Sequence, residues 1–251
     1  WDWLGKHGKD IAFAYLNRPH IAVKYIDFIK EHTDIKVLYF GHDLHFLRET
    51  REYEITGDEE IKKSADYWRS VELSLMKKVD MAYYPSYVER DLIHDINPKI
   101  HVKDIPLYVY ESFKENLDEK FEEKEGLLFV GGFGHPPNGD AVIWFVQEIF
   151  PKIRESLKVN FYIVGSKVTD EIKALEQPGN GVVVKGFVSD EELEELYRKC
   201  RIVVVPLRYG AGIKGKVLEA MNKVRSFIVK DEHTAALLDE NGAEALTLVK
   251  Q

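Results

Sequence analysis

Apolar residues along this chain form short unbroken runs, separated by longer stretches in which they recur every third or fourth place, the alternation expected of strands and helices. In the first half, residues 10–16 (DIAFAYL) and 35–40 (IKVLYF) read as strands. Residues 18–32 read as an amphipathic helix with Ile21, Tyr25, Phe28 and Ile29 on one side, and residues 47–78 as a long charged helical region. Residues 81–84 predict a third strand and residues 100–105 a fourth; between them Ser86 begins a helix, with Glu89 three positions on completing a capping box. The second half repeats the pattern. Strands over 127–130, 160–164, 182–184, 202–205 and 226–229 alternate with helices over 140–153, 170–175, 190–199, 214–222 and 232–238. The helix over 140–153 carries an apolar face of Val142, Phe145, Val146 and Ile149, and Ser189 caps the one over 190–199. Strands alternating with helices at this spacing predict an α/β fold with parallel sheets covered on both faces.

Between the halves the composition changes to ESFKENLDEKFEEKE over 111–125, too poor in apolar residues for a core, which predicts a solvated connector. The expected organisation is one domain over 1–110, the connector over 111–125 and a second domain over 126–251. The 251 residues are 45% hydrophobic and 31% charged, within the range of ordinary globular proteins. A net charge of -8 argues against a general nucleic-acid binder, so any anion site must come from a local cluster. Cys200 is the only cysteine, which excludes an internal disulfide and a cysteine-rich metal site. No apolar run approaches the roughly 20 residues needed to cross a bilayer, and no signal peptide is visible, so the expected location is cytoplasmic, free or peripheral at the inner membrane face. The chain opens at Trp1, without a methionine, and a piece of a longer protein is one reading of that start.

Candidate chemistry concentrates in 201–221, RIVVVPLRYGAGIKGKVLEAM, which reads as a buried strand, Pro206, a loop and a helix starting near Lys214. Gly210, Gly212 and Gly215 let backbone approach a ligand, and a helix N-terminus offers N–H groups. Arg208, Lys214 and Lys216 add positive charge, so a phosphate or diphosphate is the natural guest of this loop, in which Gly212 and Ile213 lie. Glu219, one turn on, is placed to accept hydrogen bonds from sugar hydroxyls. The alternative is an ordinary glycine-containing turn with surface lysines. A second loop, 131–138 (GGFGHPPN), follows another strand and should converge on the same sheet edge. Backbone amides of Gly131, Gly132 and Phe133 can approach a diphosphate or ribose, and His135 and Asn138 can bond to it, unless the turn merely displays them. Neither loop is a dinucleotide fingerprint or a P-loop.

In the first half, GHDLHF places His42, Asp43 and His45 just past a strand end. With no third cluster of ligands in view this spacing speaks against a metal; one imidazole is expected to face ligand and the other to pack or cap. LRETRE reads as a local ion network of Arg48, Arg51 and Glu52, and Glu72, on a largely apolar helix, is either paired or functional.

The combination of VGGFGHPPNGDAV, FYIVGS and VVVKGFVSDEELEELYRKCRIVVVPLRYGAGIKGKVLEAM resembles the nucleotide-sugar-binding domain of GT-B glycosyltransferases, in the group of retaining enzymes called glycosyltransferase family 4. The first half is similar to the last part of that fold's acceptor domain. The resemblance implies two Rossmann-like domains of GT-B type, the N-terminal one incomplete. It implies that Glu219 bonds the donor ribose, that Arg208 and Lys214 neutralise the donor diphosphate, and that His42 stands beside the transferred sugar. Three departures accompany it: Ala211 stands where family members often carry a second glutamate, the small-residue turn after the motif is missing, and the acceptor domain lacks its opening strands and first glycine-rich loop, roughly the leading third of a complete enzyme.

The function so implied is metal-independent, retaining transfer of a sugar from a nucleoside-diphosphate sugar to an acceptor hydroxyl, with no cofactor. Departing charge would be met by fixed cations, with front-face attack through an oxocarbenium-like state rather than by paired carboxylates. The alternative is a non-catalytic nucleotide-sugar-binding module or subunit. The partners expected are the sugar donor, an acceptor that is a glycan, a lipid or a small molecule, and no nucleic acid; the edge of the first-half sheet offers pairing with another copy. A phosphorylase would need a pyridoxal lysine motif, which the chain lacks.

Overall fold

A computed structural model of the chain describes residues 1–106, 123–223 and 227–229. The chain divides into two compact units. One holds Trp1–Val109 with the loop Tyr209–Ile213, the other Tyr110–Arg208 with Lys214–Gln251. Most of the connector expected over 111–125 and the helix expected over 232–238 lie outside the described residues.

The first unit opens with helix α1 (Asp2–His7) and contains a four-stranded parallel sheet in the order β1 (Phe13–Asn17), β2 (Lys36–Phe40), β3 (Met81–Tyr84), β4 (Val102–Asp104). Because spatial order follows chain order, right-handed crossovers place every connecting helix on one face. These helices are α2 (Pro19–Ala22), α3 (Ile26–His32), α4 (His45–Thr56), α5 (Glu59–Lys78) and α6 (Tyr87–Ile96). The core agrees: Ala22, Ile29, Phe46, Leu75 and Ile93 from the helices pack with Val37, Tyr39, Ala82 and Val102 from the sheet. The alternate residues of β1, Phe13 and Tyr15, are exposed. The expectation of a sheet covered on both faces is thus not met by the described residues of this unit.

Several expected helices are broken. The one over 18–32 divides at residues 23–25, and its buried residues are Pro19, Ala22, Ile26 and Ile29, whereas Ile21 and Tyr25 are exposed. The one over 47–78 breaks at Gly57, and Asp58 caps α5 by accepting a hydrogen bond from the Glu60 N–H at 2.8 Å. Charge patterning alone did not reveal the break. Ser86 stands at the start of α6 but makes no side-chain cap, and Glu89 turns inward, so the expected capping box does not form.

The second unit is doubly wound. Its parallel sheet runs β7 (Val182–Gly186), β6 (Phe161–Val164), β5 (Leu127–Val130), β8 (Ile202–Val205), β9 (Phe227–Val229). One core packs α7 (Pro136–Trp144), α8 (Phe150–Ser156) and α9 (Asp170–Lys173) on one face through Val142, Phe150 and Ile172. The other packs α10 (Asp190–Lys199) and α11 (Gly215–Lys223) on the opposite face through Leu196, Tyr197, Val217 and Ala220. The single helix expected over 140–153 is α7 and α8 joined by a π-helical segment, Phe145–Ile149, placed where Pro151 removes an N–H from the helical ladder. Ser189 caps α10 as expected, accepting from the Glu192 N–H at 3.2 Å.

Candidate functional site

In the second unit β5 lies between β6 and β8, so the winding reverses beside it, and a ligand crevice in such a sheet opens at the carboxyl ends of the strands at that point. The loop 131–138 leaves β5 there. The Gly131 N–H donates to the Val164 carbonyl at 2.9 Å and the Phe133 N–H to the Ser166 carbonyl at 2.8 Å, pinning the turn to the end of β6. The Phe133 ring is buried and stacks on Phe129 with centroids 6.1 Å apart. Residue 165 must be glycine for this approach, since a β-carbon there would lie 1.9 Å from the Gly131 carbonyl oxygen. Two of the three amides expected to cradle a ligand are therefore already bonded, and the cradle narrows to the Gly132 amide.

Asn138, buried in the first turn of α7, ties the loop to α11. Its Nδ2 donates to the Gly132 carbonyl at 2.7 Å, and its Oδ1 accepts from Lys216 Nζ. The asparagine acts as a brace that aims the lysine. Lys216 Nζ also lies 4.7 Å from the Phe129 ring centroid, a cation–π distance, and 2.8 Å from where a β-carbon on Gly131 would stand. Any side chain at residue 131 would displace the ammonium. Lys216 as a residue is only partly buried, but its ammonium is enclosed. Desolvation first, and the neighbouring Lys214 charge second, lower its pKa from 10.5 to about 7. An anion arriving beside the two lysines would meet an ammonium that lacks a carboxylate counter-ion among the hydrogen bonds of the described residues.

The remaining sequence candidates of this unit are distributed around that centre. Lys214 precedes α11 and its carbonyl accepts from the Val217 N–H at 2.8 Å; Glu219 stands within α11, partly exposed. His135 is exposed at the start of α7, its N–H bonded to the Gly132 carbonyl at 3.3 Å. Arg208 forms a two-pronged ion pair with Asp140 of α7, through Nε at 2.8 Å and through Nη2, and its guanidinium lies 6.0 Å from the Trp144 ring. A fork bound to a carboxylate this way is largely neutralised, and spacing alone did not reveal Asp140 as its partner.

In the first unit, His42 follows β2 with a φ of 67°, in the left-handed region that non-glycine residues rarely occupy. Its Nε2 lies 2.5 Å from Asn17 Oδ1, and its ring meets Phe40 edge-on with centroids 4.7 Å apart. His45 begins α4, buried, 5.0 Å from the Trp68 ring. The two imidazoles of GHDLHF are thus divided between a partly exposed position and a packed one, and among the described residues no three histidines, cysteines or acids gather in a metal-binding group.

Two buried carboxylates hold the segment after His42. Glu89 Oε1 accepts from the Leu44 N–H at 2.8 Å, while Glu72 accepts from the N–H groups of His45 at 3.0 Å and Phe46 at 3.1 Å. These acids from α6 and α5 satisfy the first amides of α4, which lacks a local side-chain cap. The network expected for LRETRE also differs. Arg48 pairs with Asp43, whereas Arg51 donates to the Gly210 carbonyl at 2.5 Å and Glu52 accepts from the Tyr209 hydroxyl at 2.9 Å. Gly212, with φ 69°, packs so closely that a β-carbon would lie 3.0 Å from the His42 carbonyl oxygen, and Ile213 beside it is partly exposed. Within this unit the glycine loop and the histidine turn are brought together; Asn17 is the residue sequence reasoning missed, whereas Arg51 and Glu52, expected in a local ion network, bond to the glycine loop instead. Asn17 ending a strand was the only visible signal for it.

Residues 124–250 match the family described as Glycosyl transferases group 1. A curated protein of Klebsiella pneumoniae, an uncharacterized 44.6 kDa protein in a cps region, is 30% identical over 128 residues, which are 49% of this chain and 33% of that protein. Among solved structures, TarM is similar over 92% of this chain and 44% of its own, with a TM-score of 0.66 at 16% identity. A trehalose-6-phosphate structure from E. coli bound with UDP-2-fluoro glucose is similar over 98% of this chain and 68% of its own, with a TM-score of 0.53 at 12% identity. The chain therefore spans about a third of the curated relative and under half of TarM.

Proposed function

Since the chain belongs to the group 1 glycosyl transferases, we propose that its second unit binds a nucleoside-diphosphate sugar, and that the protein moves the sugar to an acceptor hydroxyl with retention and without a metal ion. The observation that carries this reading is the Lys216 ammonium, enclosed between Phe129, Asn138 and Gly131 at the switch point of the sheet. The leaving diphosphate gains negative charge as the glycosidic bond breaks. A lysine fixed in place by Asn138, with Lys214 beside it, stabilises that charge, the arriving anion favouring its protonated form. The Gly132 amide contributes a hydrogen bond, and Glu219 is assigned the donor ribose. Arg208 acts on this reading through Asp140, by holding the start of α7 and with it the Asn138 brace, rather than by meeting the diphosphate directly. His42 is assigned the transferred sugar, and the acceptor hydroxyl attacks from the face the diphosphate leaves. Similarity to a structure bound with UDP-2-fluoro glucose supports the donor class.

Titration calorimetry with uridine, guanosine and thymidine and their diphosphates tests the reading. One diphosphate should bind at least tenfold more tightly than its nucleoside, and that preference should vanish in Lys216→Met. A transfer assay with the matching sugar donor should lose turnover in His42→Ala at unchanged diphosphate affinity. Absence of any preference for diphosphate refutes the site; binding without turnover in the unaltered protein identifies a donor-binding module instead.

A further inference from the structure

The two edges of the first sheet are finished differently. Strand β4 is three residues long, exposes Lys103 and Asp104 and runs into Pro106, features that keep another strand from pairing with it. Strand β1 has none of them. Its residues, FAYLN, include no charge and no proline, and it pairs with β2 along its whole length without a shift in register. Among the described residues no strand lies on its other side. The Lys36 N–H donates to the Ala12 carbonyl and the Arg18 N–H to the Phe40 carbonyl, each at 3.1 Å, so in this parallel ladder the even-numbered residues of β1 face β2. The backbone groups of Phe13, Tyr15 and Asn17 therefore point outward. Helix α1 is drawn elsewhere, since Trp1, which leads into it, packs on Tyr25 and Phe28 beside α3 with ring centroids 5.3 and 4.5 Å apart.

That edge borders the face that the helices leave open. By register, Phe13, Tyr15, Leu38, Phe40, Met81 and Tyr83 fall on this face. Phe13 is 64% and Tyr15 60% exposed, and the Tyr15 and Phe40 rings stack with centroids 6.4 Å apart. We propose that two copies of this chain join through β1, antiparallel about a two-fold axis at Tyr15, so that the four-stranded sheets of both become one. In that arrangement the strand is complementary to itself. Tyr15 meets Tyr15 of the second copy and Phe13 meets Asn17, and each such pair exchanges two hydrogen bonds through the outward N–H and C=O groups. Phe13 stands diagonal to Tyr15 of the second copy on the open face, within reach of an aromatic ring. The charges at the ends match as well. Asp10 precedes β1 and Arg18 follows it; both are exposed, and neither is ion-paired among the described residues. Antiparallel pairing sets Arg18 of each copy at the end that holds Asp10 of the other, whereas a parallel partner would set like charges together. An open edge accepts other strands too, but an uncharged centre flanked by ends of opposite sign fits a second copy. One five-residue ladder lies at the small end of specific interfaces, so a dissociation constant on the order of 10 µM is expected.

Sedimentation equilibrium of the full chain from about 1 to 200 µM tests the association: the mass should rise from 29.1 kDa to twice that value. Tyr15→Lys puts like charges opposite each other at the axis and should weaken association at least tenfold. Because Tyr15 is exposed, the variant should keep the circular dichroism spectrum and melting temperature of the unaltered protein. Cysteine variants test the register and decide the matter should Tyr15→Lys fail to fold. Residues opposed in a hydrogen-bonded pair have α-carbons about 5.5 Å apart, within disulfide range. Mild oxidation should therefore cross-link Tyr15→Cys into a covalent dimer and leave Phe13→Cys, which faces Asn17, uncrosslinked; the one native cysteine, Cys200, is buried and does not compete. A monomer throughout the concentration range overturns the proposal. So does a dimer that Tyr15→Lys leaves intact, or one that cross-links through Phe13→Cys as readily as through Tyr15→Cys, since another surface or another register then joins the copies.

Discussion

Replacing Lys216 by methionine should uncouple binding from stability in a manner that depends on pH. Methionine keeps the length and apolar stem of lysine and removes only the ammonium. Keeping that ammonium charged where its pKa has fallen from 10.5 to about 7 costs at most about 5 kcal/mol, at about 1.4 kcal/mol per pH unit. Part of the residue is open to water, and screening reduces this to about 2 kcal/mol. The sign follows from proton counting. Below pH 7 both folded and unfolded chains hold the proton, and the folded state bears the whole cost. Between pH 7 and 10.5 only the unfolded chain holds it, so stability of the unaltered protein rises with pH; above 10.5 neither does, and the cost is gone. Relative to the unaltered protein, Lys216→Met should therefore be more stable by about 2 kcal/mol more at pH 6.5 than at pH 10, over a constant offset of about 1 kcal/mol from the hydrogen bond lost to Asn138. Urea denaturation at several pH values measures this. At pH 7.5, a nucleoside diphosphate at about a hundred times its Kd should add about 2.7 kcal/mol to the unaltered protein and at most half of that to the variant. A stability difference that does not vary between pH 6.5 and 10, or equal stabilisation of both proteins by the diphosphate, would refute the reasoning.

Three further outcomes are expected. Glu72→Ala leaves the amides of His45 and Phe46 without their acceptor, which should cost about 2–5 kcal/mol in urea denaturation, with Glu72→Gln losing roughly half as much; a loss under 1 kcal/mol in Glu72→Ala would show that the clasp is dispensable. For Asp80, burial pushes the carboxyl up, but Lys30, the Val37 N–H and Lys36 outweigh it and lower the pKa from 3.8 to about 2. Its stabilisation is thus present above pH 4 and lost as pH falls through 2, so Asp80→Asn should be less stable than the unaltered protein at pH 6 and equal to it near pH 2, with an unchanged gap at pH 2 counting against the pairing. Arg51→Ala removes the donor to the Gly210 carbonyl, and hydrogen exchange across 209–213 should speed by about tenfold while exchange in β2 stays as it was; unchanged exchange in the loop would mean that Arg51 does not hold it.

Much of this protein could be read from its residue order. Strands β3, β5 and β8 fall on the residues their apolar runs mark, as does α10 with its Ser189 cap, because a fully buried strand and a capped helix are local in their causes. The cationic glycine stretch and the GGFGHPPN loop were legible for the same reason, and the order of strands and helices carried the α/β class. Residue order did not reveal which charges neutralise one another. Arg208 belongs to Asp140, Arg51 to the Gly210 carbonyl, and Glu72 and Glu89 to the amides after His42, across separations that sequence periodicity does not span. It also could not select Lys216 among the cations of its loop. That choice follows from Asn138 and Phe129 arriving from another strand and helix to enclose one ammonium, and the low dielectric there, a property of the assembled unit, gives the lysine its chemistry.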